Sequence, residues 1–430
     1  MTKRLFWLSL LLFSGHSWAQ HPMTIDQLFE RIEQQNKSLR TAKSGVEIAR
    51  WGIETAKSKR LPDIDASLSM SYIGNALLSN RNLSHAKWLS TPHLGNNFTL
   101  QAQQVIYAGG AIDAGIRLAQ LGQQQVETGV AIARQRARLL ALGQYLDLFR
   151  IDNQMKVYEQ NIALTLQLIE DIKERQQQGM ALKNDITRYE LQMENLRLGL
   201  TALRNNRSIL NHQLCNTLGL TEEIVPDTAI LRTAYSREGE AYWQAKGLAN
   251  SPFLQQRTTA VRIAEQNEKV AKSELLPKVA IVAADNFDGP ITFELPPINK
   301  NLNVWYVGVG IKYSLSSLFK SNCRVKQAAV ETRQAQENYA LQEEQVNNDV
   351  QAAYVQYQQT YVELATQEKS VELARQNYHV VNARYLSQLA LVTDMLDASN
   401  VRLDAELKEV DARINIVYAY YRMKYAAGNI

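Results

Sequence analysis

Asp394 and Asp397 stand three residues apart, so a helix there carries both carboxylates on one face. Two acids so placed can do two kinds of work. Where several copies of a chain meet at an axis, they form rings of like charge that raise one another's pKa and draw cations. In a lone helix they are N-terminal acids favoured by the helix dipole. The residues alone leave both readings open. Little else in the 430 residues has a spacing that chemistry needs. Gly109-Gly110 followed by Gly115 is mis-spaced for a dinucleotide fingerprint, and no βαβ pattern follows it. There is no P-loop, no His-Glu-x-x-His and no Gly-x-Ser-x-Gly. The six histidines are scattered; His85 and His93 flank Trp88 in a polar loop, while His212 and His379 stand alone in helical stretches. We therefore expect no catalysis, no cofactor and no metal site. Cys215 and Cys323 cannot form a disulfide framework, and their separation along long helices predicts free thiols.

The elements that position these residues follow from composition. Gly (20) and Pro (9) are scarce, so few turns can be punctuated and long helices are expected. Apolar residues at 45% and charged residues at 21% fit a folded chain. A net charge of +4 is too balanced for nucleic acid. Lys3 and Arg4, the apolar run Leu5 to Phe13, and Ser17-Trp18-Ala19 read as a signal peptide over 1–19. The apolar run is half of the roughly 20 residues a spanning helix needs. No Cys follows it to carry a lipid, and no later run is long enough to span. If the mature chain enters a membrane, it must do so as a barrel.

The chain is written twice. Ala56-Lys57-Ser58 with Leu61-Pro62 recurs as Ala271-Lys272-Ser273 with Leu276-Pro277. Further on, Tyr145, Arg175, Leu182, Asp185 and Gly219 match Tyr354, Arg384, Leu391, Asp394 and Gly428 at a constant offset of 209. Each half reads helix, strand, loop, strand, long helix, break, long helix. Period-two alternation marks strands: Ile64, Ala66, Leu68, Met70 and Tyr72 against Asp65, Ser67, Ser69 and Ser71, with partners about 97–107, 277–287 and 302–313. Such alternation suits a soluble sheet or a lipid-facing barrel. Four strands cannot close a barrel, for which about eight is the minimum, so a membrane role demands oligomers; three copies give twelve strands. Heptad positions mark the helices: Val350, Tyr357, Leu364, Val371, Tyr378 and Tyr385 recur every seven residues. The stretch 112–178 lacks Pro and predicts a helix of about 100 Å.

With these residues on the page, the sequence resembles the TolC-like outer-membrane efflux proteins. The resemblance rests on the duplicated segments Asn36 to Pro62 and Ser251 to Pro277, on Tyr107-Ala108-Gly109-Gly110, and on the run Tyr385 to Ala398 with its Asp-x-x-Asp. It implies a mainly α fold with a membrane β-barrel. Its unit is a strand pair plus a long helical hairpin, duplicated, and three chains close a twelve-stranded outer-membrane barrel continuous with a periplasmic α-helical barrel. On this reading 20–220 is the first repeat, with strands about 62–73 and 97–107 and a hairpin about 112–218. A linker at 221–250 forms a belt, with a small helix from Arg237 to Gly247. The second repeat is 251–430, with strands about 277–287 and 302–313 and a hairpin about 321–427. The resemblance further implies a passive exit duct that takes drugs or other exports from an inner-membrane pump and a periplasmic adaptor. The chain would lie in outer-membrane lipid, extend into the periplasm and bind no nucleic acid.

By the same resemblance Asp394 and Asp397 form the pore constriction, and Tyr385 and Asp185 belong to a latch. Ala390 stands where the family has a latch arginine, and Gln388 where it usually has glycine. The tip residues Gly179, Met180, Ala181 and Leu182, with Gln388, Leu389, Ala390 and Leu391, are the expected adaptor contacts. The rival is a periplasmic adaptor or a structural coiled coil of an export complex. Adaptors normally hold one hairpin between small β-domains, whereas two hairpins here each follow a strand pair.

Overall fold

The computed structural model describes residues 22–229, 235 and 238–430. The signal peptide expected over 1–19 lies outside the described residues, as does Arg237. The chain forms two compact units. One comprises the described residues up to Arg40 with Ala133–Ser251 and Val346–Ile430; the other comprises Thr41–Ile132 and Pro252–Gln345. Two long helices, α3 (Ala111–Gln177) and α7 (Ser317–Leu386), contribute to both.

The second unit holds a four-stranded antiparallel sheet with helices α2 (Lys37–Ser58) and α6 (Pro252–Ser273). Its order is β1 (Asp63–Tyr72), β4 (Leu94–Ala108), β5 (Lys278–Gly289), β6 (Leu302–Lys312). Within the loop after β1, β2 (Ala76–Leu78) pairs with β3 (Lys87–Leu89) as a separate two-stranded ribbon. Neighbouring strands hold one register, Ser67 facing Thr99, Thr99 facing Asn286 and Asn286 facing Val304, with a bulge at Val105/Tyr107. Gly109 turns the chain from β4 into α3 at φ +62°. A Cβ there would lie 2.7 Å from the Ser273 carbonyl oxygen, so only glycine fits. Arg60 locks the same corner by donating to Asp113 at 2.5 Å.

The first unit packs α1 (Ile25–Gln35), α4 (Lys183–Leu218), α5 (Glu240–Asn250) and α8 (Val392–Ala426) with α3 from Ala133 onward and α7 from Val346 onward. Thr24 opens α1 with a capping box: its hydroxyl accepts from the Gln27 N–H at 3.3 Å, and the Gln27 side chain accepts from the Thr24 N–H at 3.0 Å. Ile25, Leu28 and Ile32 recur on one face and bury against Leu142, Tyr145, Leu214 and Leu218. The Tyr145 hydroxyl donates to the Met23 carbonyl at 2.5 Å and accepts from the Asp227 N–H at 2.8 Å, tying both crossing segments to α3. Burial pushes its phenol up to about 12. The short helix read as starting at Arg237 begins, among the described residues, at Glu240 and runs on to Asn250, where Pro252 opens the next helix.

Candidate functional site

The two helical hairpins turn at tips with one shared backbone design. Gly179 and Gln388, 209 residues apart, both take the left-handed conformation, at φ +76° and +62°. The Met180 N–H donates to the Arg175 carbonyl, and the Leu389 N–H to the Arg384 carbonyl, each at 2.8 Å. Asp185 accepts from the Leu182 N–H at 3.2 Å, and Asp394 from the Leu391 N–H at 3.0 Å. Each acid thereby satisfies an N-terminal amide of its own returning helix. The tips also leave apolar groups uncovered: Met180, Leu182, Leu389 and Leu391 are exposed, and Ala181 and Ala390 are half-buried.

Along α8 the faces separate cleanly. Met395, Ala398, Arg402 and Ala405 are buried. Asp394, Asp397, Val401 and Asp404 are exposed, at spacings of three and four that keep them on one stripe. Asp404 is neutralised by Lys408 at 2.6 Å. Asp397 has no partner among the described residues, and Asp394 spends one oxygen on its cap. This stripe therefore ends at the tip in two unneutralised carboxylates.

Beneath the tips Ile172, Tyr189, Tyr385, Val392 and Met395 form one buried cluster that joins the two hairpins. Tyr385 and Asp185 sit close enough for the carboxylate to raise the phenol pKa, second to burial and opposed by Arg175, but no hydrogen bond links them. Arg175 makes the direct tie. Its guanidinium donates to the Leu386 carbonyl at 2.7 Å and lies 5.9 Å from the Tyr385 ring. An open cleft of about 520 Å³ runs between the tips, lined by Arg175, Asp185, Arg188 and Tyr385 among others. Sequence reasoning missed Arg175 and Arg188. The repeat match between Arg175 and Arg384 was the available signal.

The sheet has two unlike faces. Leu68, Phe98 and Phe287 lie in register on one side, as do Ile64, Ala102, Ala283 and Val307. Ser67, Thr99 and Asn286 lie on the other, as do Ser69, Asn97 and Asp288, whose Asn97 amide donates to the Asp288 carboxylate; on β6 these rows end in Val304 and Leu302. The apolar face is bare: Leu68, Trp305, Val307 and Ile311 are 67–73% exposed. Asp285, beside Trp305, is the one acid in these apolar rows, and its Oδ1 has no partner. The outer edges of β1 and β6 carry no neighbouring strand among the described residues. No described helix is long and apolar enough to cross a membrane.

Residues 244–429 match the model of the outer membrane efflux protein family. This stretch is an outer membrane efflux protein domain. It takes in the second leading helix, both strands β5 and β6 and the hairpin of α7 and α8, with Tyr385, Asp394 and Asp397 inside it. Residues 22–243 lie outside that match but repeat its elements in the same order. The fold as a whole is that of known outer-membrane channels. The outer membrane protein VceC of Vibrio cholerae superposes with a TM-score of 0.76 at 17% identity, over 94% of this chain and 96% of that one. The open state of the Neisseria gonorrhoeae MtrE outer membrane channel gives 0.74 at 15%, over 94% and 89%. The Campylobacter jejuni CmeC outer membrane channel gives 0.73 at 14%, over 94% and 85%. No curated protein matches the chain in sequence.

Proposed function

We propose that the chain is the outer-membrane exit duct of a tripartite efflux system, a passive channel fed by an inner-membrane pump through a periplasmic adaptor. The observation that carries this reading is the four-stranded sheet with one bare apolar face, a second face that is polar along β1 and β4, and two open edges. Strands of 10 to 15 residues match the roughly 9–11 that a tilted strand needs to cross the hydrocarbon. Lipid tolerates no unpaired strand edge, so the edges of β1 and β6 must meet other copies. Three copies supply twelve strands and a polar bore.

The helices carry the same demand. Leu191 and Leu198 on α4, and Val355 and Val362 on α7, are exposed seven residues apart, as a coiled-coil seam awaiting a partner would be. In a homotrimer, three copies of Asp394 and Asp397 encircle the axis and constrict the periplasmic mouth. Tyr385 and Asp185 flank that constriction. The exposed tips, Gly179 to Leu182 and Gln388 to Leu391, receive adaptor helices. Cell fractionation with heat-modifiable gel migration tests the reading. A trimer that sediments with outer membranes and resists mild detergent supports it; a soluble periplasmic monomer overturns it.

A further inference from the structure

Arg402 is the anomaly of the first unit. It lies on the packed face of α8 at 9% exposure, between Ala398 and Ala405. Its counterpart in the first repeat, 209 residues earlier, is Met193. A buried cation replaces an apolar residue, which is unfavourable unless its charge and donors are satisfied. The satisfaction is partial. One terminal nitrogen donates to the buried Asn161 Oδ1 at 2.9 Å, and the guanidinium stacks 4.1 Å from the Tyr378 ring centroid. Among the described residues its Nε is buried without a partner, and no carboxylate pairs with it.

Glu406, one turn along α8, is the nearest acid in this network. It is already engaged by Arg375 at 3.1 Å and reaches Asn161 at 3.5 Å. Arg375, Arg402 and Glu406 together carry one unit of excess positive charge. Beside them a cavity of about 10 Å³ opens where α3, α4, α7 and α8 meet. One solvent-sized sphere needs roughly that volume. Its walls include Leu164, Leu168 and Leu196, and its polar lining includes Arg402, Asn161 and Ser399. Ser399 is three residues before Arg402, on the same side of α8, and its hydroxyl has no partner among the described residues.

We propose that this cavity binds one monovalent anion of halide size, held by Arg402 Nε and the Ser399 hydroxyl. The chemistry fits three ways. Two residues with unused donors, Arg402 and Ser399, line the cavity, Leu168 and Leu196 narrow it on the side of α3 and α4, and the anion cancels the excess charge that a neutral water would leave. The four helices of both hairpins then share one ionic centre.

Bromide supplies the probe. Crystals of the full-length protein grown or soaked in bromide should show an anomalous peak within about 3.5 Å of Arg402 Nε. Chloride should raise the melting temperature over gluconate at equal ionic strength by about 2 °C or more. Arg402→Met, which installs the residue of the first repeat, should abolish both, and Ser399→Ala should weaken the halide shift while keeping the charge. Water alone in the cavity, or equal melting in chloride and gluconate, overturns the proposal. If Arg402→Met does not assemble, the bromide peak in the unaltered protein decides.

Discussion

Arg175 of the first hairpin caps the end of a helix in the second: its guanidinium donates 2.7 Å to the carbonyl of Leu386, the last residue of α7. A helix leaves its final carbonyls unsatisfied and negative, so an arginine there is doubly favoured. One side chain thus fastens the two tips above their shared apolar cluster. Arg175→Ala should speed amide exchange in 386–393 and cost about 0.5–1 kcal/mol in stability, since the bond is exposed. Hydrogen-exchange mass spectrometry checks it. Unchanged exchange at the second tip would mean the apolar cluster alone holds it.

Asp394 caps its own helix, and the proposed ring would give it a second role that a pair of variants can separate. Asp394→Ala with Asp397→Ala should raise single-channel conductance and remove cation block. Asp185→Ala removes the same kind of cap at the other tip, costing about 0.5–1 kcal/mol, and should leave block unchanged. Planar-bilayer recording reads both. Loss of block in Asp185→Ala would tie block to tip folding instead of the ring.

Gln388 sits where its repeat partner is glycine, and a left-handed backbone costs a residue with a Cβ roughly 1–2 kcal/mol. Gln388→Gly should therefore raise the melting temperature, and Gly179→Gln should lower it. Thermal unfolding of the purified protein tests the pair.

The bare sheet face predicts an asymmetry between neighbours. Val307→Arg puts a charge in lipid at a cost of about 2–4 kcal/mol near the midplane, so heat-resistant assemblies should be lost. Ser69→Arg, on the polar face, should still assemble. Gel migration before and after boiling distinguishes them.

The thiols should behave oppositely. Cys215 is buried, donates to the Glu222 carbonyl at 3.1 Å, and has its pKa raised, first by burial and then by Glu223. A raised thiol pKa means less thiolate at any given pH, hence slower reaction. Cys323 is exposed. Maleimide at pH 7 should label one thiol per folded chain, at Cys323, and two after denaturation.

What the sequence made legible was whatever repeats with a period. Alternation from Ile64 to Tyr72 announces a strand because polar and apolar sides meet different surroundings. Scarce glycine and proline announce a mainly helical chain. Gly179 marks a tip by its own chemistry. Its partner Gln388 does not, because glutamine in a left-handed turn leaves no compositional trace. Arg402 was invisible for the opposite reason. An arginine in a helix reads as surface, and only packing reveals that it faces Tyr378 and Asn161. Arg175 resembled an ordinary C-terminal cation until the structure showed which helix it serves. The ribbon of β2 and β3 went unread, since three-residue strands are too short for a period.

The open edges of β1 and β6 also have a genetic consequence. In the proposed ring, a chain whose sheet is completed on both sides by its neighbours passes its defects to them. Expressed in equal amounts with a variant crippled at one edge, only about one ring in eight would contain no damaged member if three chains close it by random mixing. Such alleles should act dominantly, and a cell carrying one good copy should show the export capacity of a cell with about an eighth of its channels.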